Sequence, residues 1–374
     1  MKIGLALAGG GIKGAGHIGA IKALKENGIE IDCVGGTSIG SIVSALYAMD
    51  YSTDEMLKLF KYFAKDIMKI DPKYYWSNVK SKRNFMGYGL LSGERIEQAI
   101  AECAELKGLK NIKDIKMPIC MPTTEITESK KYVFTNQETQ DETKQIEYIN
   151  DIPLGKAVRA SASYPGVFAP TVFKGHKFVD GGIFDNLPTH EVRKLGADKV
   201  LSIRFSSEKF YDPKNLFEVA LKSVDLLFDQ RTASEVASSD YAITLDLPEA
   251  NVFNIKKIDY CYNQGYITTL EHMKEIKEKD IRFHKDRNRL LKAIGNGDPN
   301  LEPTISRKYK LSSKTAFLLC TDGFWELIDE KEMIGCLRRT SNAKDWVKEM
   351  GAIVVSRGKG NNMDNVTAIG VRIK

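Results

Sequence analysis

The chain has 374 residues, 43% apolar and 28% charged, a balance that provides a large core and excludes a disordered polymer. Residues 280–374 carry 18 Lys and Arg against 12 Asp and Glu, leaving 37 of each sign before them, so the net +6 sits wholly in the last quarter. That surplus is too small for a nucleic-acid partner, and no nucleic-acid motif accompanies it, but it supports a domain boundary: 1–279 and 280–374.

Residues 2–8 (KIGLALA) are a short apolar run broken by glycines, which predicts a buried parallel strand. The run is too short for a signal segment, and no stretch reaches the roughly 18 apolar residues of a membrane span. A cytoplasmic protein, at most peripheral at a membrane, is expected. Ile18, Ile21 and Leu24 follow at helical spacing, with Gly28 placed to stop the helix. Residues 29–36 (IEIDCVGG) read as a second strand, and 39–49 as a helix apolar all round. This alternation predicts an α/β fold with a mostly parallel central sheet. Helices are expected at 54–70, 92–106 (Ser92 as N-cap), 214–239 and 260–279. Strand pieces are expected in 117–150 and at 198–205. Residues 295–303 (GNGDPNLEP) carry turn chemistry, after which 315–321 reads as a new strand. Six cysteines (Cys33, Cys103, Cys120, Cys261, Cys320 and Cys336) form no Cys-x-x-Cys pair and read as free thiols.

Chemistry concentrates at three places. GGTSIGS puts Ser38 in a Gly-x-Ser-x-Gly setting, with Gly36 and Gly40 flanking it, between a predicted strand and a predicted helix. A strand turning sharply into a helix exposes the hydroxyl at the helix's positive end. GGGIKG (Gly9, Gly10, Gly11, Lys13, Gly14) follows the first strand; free amides there suit an oxyanion hole. The same letters match Gly-x-Gly-x-x-Gly, and Asp32 stands near where a dinucleotide ribose would be held, so dinucleotide binding is the rival reading. VDGG ends a strand-like HKFVD at Asp180, with Gly181 and Gly182 closing it; an Asp at a strand end can act as a base if it reaches the nucleophile. An α/β-hydrolase triad would need a histidine, and His176, His190, His272 and His284 carry no catalytic mark.

GGGIKGAGHIGAIKAL, GGTSIGS, SASYPGVFAP and VDGGIFDNLP, in this order, resemble the patatin-like phospholipase family, closely over about residues 3–205 and loosely to about 275. The resemblance implies a three-layer α/β/α domain and a Ser–Asp dyad of Ser38 and Asp180. It also implies an oxyanion hole from Gly9 to Gly11, with Lys13 as the basic residue. It further implies metal-free cleavage of fatty acyl esters of phospholipids or other lipids. VDGG stands where the family also often has Asp-Gly-Ala. The stretch 57–76 sets Leu57, Phe60, Ala64 and Ile67 against Lys58, Lys61, Lys65 and Lys69, which suits either a helix on an anionic membrane or a helix capping the core.

Residues 315–373 read as a strand, an Asp-Gly turn, helices and a final strand, with Asp322 and Asp364 at one end of the sheet if the strands pair antiparallel. LLCTDGFW and the later Asp-Asn resemble the C-terminal part of the protein phosphatase 2C family, and NRLLKAIG (288–295) loosely matches an earlier piece. Over about residues 285–374 this implies a small α+β part of a sheet sandwich. Asp322 and Asp364 are its candidate ligands for Mg or Mn. The family's early metal motif has no counterpart, so a regulatory or degenerate appendage is expected. The rivals to a lipid hydrolase are an idle, partner-binding regulator and a metal-dependent phosphatase.

Overall fold

The computed structural model describes residues 2–67, 89–139, 141, 145–206, 212–250, 254–281, 315–325, 327–328, 330–358 and 366–373. The stretches 288–295 and 295–303 lie outside these. The chain divides into two compact units, Met1–Lys277 and Glu278–Lys374. Among the described residues no helix is long and apolar enough to cross a membrane.

The first unit runs β1 (Ile3–Leu7), α1 (Ala15–Glu26), β2 (Cys33–Gly36), α2 (Ile39–Ala48), α3 (Thr53–Ile67), β3 (Gly89–Leu91), α4 (Glu94–Leu106), β4 (Ile119–Glu125), β5 (Lys130–Thr135), β6 (Ile146–Ile149), α5 (Leu154–Ser161), β7 (Gly166–Phe168), β8 (Thr171–Phe173), β9 (His176–Asp180), α6 (Thr189–Lys194), β10 (Lys199–Phe205), α7 (Leu216–Ser238), β11 (Tyr241–Leu245) and α8 (Ile258–Ile281). The main sheet has the order β11-β10-β1-β2-β4-β5-β6, with β9 and then β8 joined through β4. The run β11, β10, β1, β2, β4 is parallel, whereas β5 and β9 run against β4. Along β1, Leu5 and Leu7 enter the larger core, and Ala6 and Ala8 enter a second core on the other face with Val192 of α6. Alternate residues of one strand thus feed two cores, which makes the architecture three-layered.

Several elements differ in extent from expectation. β2 starts at Cys33 because the Asp32 carboxylate accepts the Ile3 amide at 2.7 Å and holds the chain before the ladder forms. α4 is capped by Gly93 (φ 75°), while the Ser92 hydroxyl accepts the Glu94 amide at 3.3 Å. All six cysteines are free, five of them buried and Cys320 half-buried.

The second unit runs β12 (Ala316–Cys320), α9 (Asp322–Trp325), α10 (Glu330–Arg339), α11 (Ala343–Gly358) and β13 (Ala368–Arg372). β12 and β13 pair antiparallel. The expected Asp-Gly turn is instead one helical turn, because the Phe324 and Trp325 amides both fold back onto the Thr321 carbonyl. Phe324, Ile328, Cys336, Trp346, Met350 and Val354 form its core.

Candidate active site

Ser38 stands between the end of β2 and the start of α2 with φ 56° and ψ −124°. A non-glycine residue rarely holds this conformation, which costs on the order of 1–3 kcal/mol and persists only where the surroundings enforce it. The enforcement comes from close packing of backbone on backbone. A Cβ on Gly36 would lie 2.2 Å from the Gly40 carbonyl oxygen, and one on Gly40 would lie 2.3 Å from that of Leu7. The Ser38 amide donates to Ser161, whose hydroxyl in turn donates to the Pro122 carbonyl at 2.7 Å. The serine is thus pinned from α5 as well as from its own turn.

Asp180 ends β9 and is fully buried. One carboxylate oxygen accepts the Gly182 amide at 2.9 Å. Burial pushes its pKa up to about 7; hydrogen bonding from Ser38 and Gly182 works the other way, and Asp225 adds a little upward push. The Ser38 hydroxyl therefore acts on the carboxylate, yet the second oxygen meets no donor in good hydrogen-bond geometry among the described residues.

The glycine loop lies beside them. A Cβ on Gly9 would come within 3.1 Å of the Ser38 Cβ. The Gly9 amide is spent on Asn186, donating to both its backbone and its side-chain oxygen at 3.2 Å. Any donor role therefore passes from Gly9 to its neighbours: the Gly10 and Gly11 amides have no acceptor among the described residues. Beneath the loop, His17 is fully buried, stacks on Phe205 with ring centroids 4.6 Å apart, and donates from Nε2 to the Ala8 carbonyl at 2.9 Å. Burial lowers its pKa to about 4.

A cavity of about 490 Å³ opens at this point, within the usual range of ligand pockets, roughly 300–1,000 Å³. Gly9, Gly10, Gly11, Lys13 and Ser38 line one part of it. α3 and α4 supply an apolar part that includes Phe60, Phe63, Ile96 and Ile100. α7 closes another side with Asp225, Phe228 and Thr232. Tyr164 donates to Asp225 at 2.7 Å, and burial with that carboxylate raises the phenol far above its ordinary range.

Ser38, Asp180 and the glycine loop, expected from separate stretches of sequence, thus meet at one place. Gly14 packs on Ile39, the residue after Ser38, and Gly181 lies against the Pro122 carbonyl. The dinucleotide reading fails on position. Asp32 bonds the first residue of β1, at the opposite end of the parallel strands from the glycine loop that follows Leu7. None of the described histidines lines the cavity. His176 faces Glu128, His272 bonds Tyr241, His190 is exposed on α6, and His284 lies outside the described residues. The apolar side of α3 turns Phe60, Phe63, Ala64 and Ile67 into the cavity; residues 68–76 lie outside the described chain. In the second unit Asp322 opens α9, and Asp364 lies outside the described residues. Among the described residues no group of three metal-ligating side chains occurs. Asn186, Tyr164 and Asp225 were not singled out from sequence. Asn186 and Tyr164 lie inside quoted motifs, but nothing in an Asn-Leu-Pro or Ser-Tyr-Pro string shows what its side chain will touch.

The family model "Patatin-like phospholipase" matches residues 5–193. Curated relatives include the lysophospholipase NTE1 of Meyerozyma guilliermondii, 32% identical over 57% of this chain and 13% of its own length. That of Debaryomyces hansenii is 31% identical over 57% of this chain and 12% of its own. The chain therefore spans only about an eighth of these relatives. Among solved structures, VipD from Legionella pneumophila aligns over 73% of this chain and 67% of its own, with a TM-score of 0.39 and 15% identity. With half of the sequence matched by the family model and its motifs converging on one cavity, the chain belongs to the patatin-like phospholipase family.

Proposed function

We propose that the first unit is a lipid acyl hydrolase of the phospholipase A or lysophospholipase type, acting through Ser38 and Asp180. One observation carries the reading: a serine in a strained turn meets a buried carboxylate at the wall of a largely apolar cavity. Asp180 takes the Ser38 proton as the hydroxyl attacks the ester carbonyl. A base whose pKa sits near 7 is well matched to this transfer. The oxyanion that forms is met by the Gly10 and Gly11 amides and by the positive end of α2. The alcohol leaves with a proton, and water then hydrolyses the acyl-serine by the same route in reverse. No step needs a metal. The acyl chain lies along α3 and α4, where the lining is apolar. Lysophospholipids are the first substrates to try, because the similar curated proteins carry that name. Such substrates come from a lipid surface, so the reading includes transient contact with one.

For residues 280–374 the proposal is a non-catalytic appendage resembling part of a phosphatase 2C sandwich. The antiparallel β12–β13 pair, apolar on both faces, favours it.

The test offers the purified chain lysophosphatidylcholine and an aryl phosphate, each with and without chelator. Fatty acid release that survives chelation and vanishes in Ser38→Ala is expected. Chelator-sensitive phosphate release, or fatty acid release undiminished in Ser38→Ala, would overturn the assignments.

A further inference from the structure

Two residues that follow the acid loop hold the whole site together. The Asp185 amide donates to the Gly181 carbonyl at 2.8 Å, and its carbonyl accepts the Thr37 hydroxyl at 2.7 Å. One residue therefore bridges the segment after Asp180 and the residue before Ser38. Its carboxylate is buried against Lys131 at 2.6 Å, which anchors the bridge to β5.

Asn186 adds the third segment. Its Oδ1 and its backbone oxygen both accept the Gly9 amide, and its Nδ2 donates to the Thr232 hydroxyl at 2.9 Å. Thr232 donates onward to the Phe228 carbonyl at 2.7 Å, one turn back along α7. That onward bond fixes the orientation of the amide. The threonine's proton is already committed, so the group facing it must be the NH₂, and the oxygen must face Gly9. Asn186 is buried and lines the cavity. Its side chain fills the notch that only a glycine at position 9 leaves open, since a Cβ there would lie 2.5 Å from Oδ1.

We infer that Asn186 is a positioning residue for the reaction, setting the glycine loop against Ser38 and tying it to the α7 wall of the cavity. The inference rests on the hydrolase reading and deepens it. The Gly9 amide is consumed by Asn186, while the next two amides, at the cavity, have no acceptor among the described residues. A loop held at one residue in this way keeps its donors aimed before any charge develops, which is the condition for strong oxyanion stabilisation. A shift of about 1 Å in such a group can cost roughly a hundredfold in rate.

The experiment measures kcat and KM for a short-chain aryl ester with the full chain, Asn186→Ala, Thr232→Val and the double variant. For Asn186→Ala, kcat is expected to fall roughly 10- to 100-fold with KM within about twofold, because transition-state contacts are lost and ground-state binding is not. Thr232→Val leaves the asparagine in place and cuts only its α7 anchor, so a smaller fall in kcat is expected. The two effects should be clearly non-additive in the double variant. Thr232→Val also serves if Asn186→Ala does not fold. A folded Asn186→Ala with kcat within twofold of wild type, or a loss confined to KM, overturns the positioning role. So does full additivity with Thr232→Val. Ester cleavage that is unchanged in Ser38→Ala instead removes the hydrolase reading itself, and the two failures are told apart by that control.

Discussion

The first unit buries both faces of its central sheet, whereas in the second the described strand residues bury one face and expose the other. In β1 Leu5, Ala6 and Leu7 are all fully buried, and the site forms where the chain leaves such strands at their C-terminal ends. In the second unit Ala316, Leu318 and Cys320 turn inward, but Phe317, Leu319, Ile369 and Val371 are exposed, Leu319 by 62%. The motifs of the first unit are held by a sheet and three surrounding segments, so their geometry is over-determined. Among the described residues the second unit has a two-stranded sheet with helices packed on one face. A motif aspartate there begins a single helical turn. The lesson is that a strained turn such as that of Ser38 persists only with a deep core behind it.

The largest effect that would break this contrast is at Asp180. Asp180→Asn removes the proposed base, and kcat on an aryl ester is expected to fall roughly 10⁴-fold. Retention of even a tenth of the activity would mean that the buried carboxylate is not the base. Next comes the anchor beneath the site. Lys131→Met leaves Asp185 and Glu191, each with a side chain only 2% exposed, without their shared cation, at a cost of about 3–5 kcal/mol in urea unfolding. A loss under about 1 kcal/mol would show that the bridge to Thr37 and Gly181 does not depend on the ion pair.

The pH dependence is a smaller and more diagnostic effect. The base must be ionised, so log(kcat/KM) is expected to rise with pH and level off above an inflection near 7. An inflection near 4 would mean that burial does not govern the carboxyl. Stability should move the opposite way. The folded state holds the Asp180 proton up to about pH 7, while the unfolded chain releases it near 3.8, so this group lowers stability as pH rises between those values. The limit is on the order of 4 kcal/mol. Asp180→Asn should accordingly raise the melting temperature more at pH 8 than at pH 4. The smallest effect belongs to the bare face: Leu319→Ser is expected to change stability by no more than about 0.5 kcal/mol. A loss of 2 kcal/mol or more would mean that this face is covered in solution.

Much of the first unit was legible because its signals are local. An apolar run cut by glycines gives β1, helical spacing gives α1, and the all-apolar stretch after Ser38 gives α2. The edges were less legible: β2 is shortened by the Asp32 carboxylate that holds Ile3, 29 residues away in sequence. The apolar residues of 57–67 served two readings equally well, because periodicity gives a helix an apolar face but does not say what that face meets. Phe60, Phe63, Ala64 and Ile67 line the cavity, while Leu57 packs against the core.

By itself, the sequence determined the turn that holds Ser38. The strand, the helix and the two glycines that flank the serine lie within a few residues of one another. It also determined that Asp180 ends a strand, because alternation and a following pair of glycines are local too. Tertiary structure alone decided which amides of the glycine loop stay free, since that depends on Asn186, 177 residues from Gly9. It likewise decided that Asp180 is desolvated enough to titrate near 7, because its surroundings come from β4, α5 and α7. Spacing along the chain fixes which face a residue occupies; only the closed core fixes how dry that face is and which donors are left over.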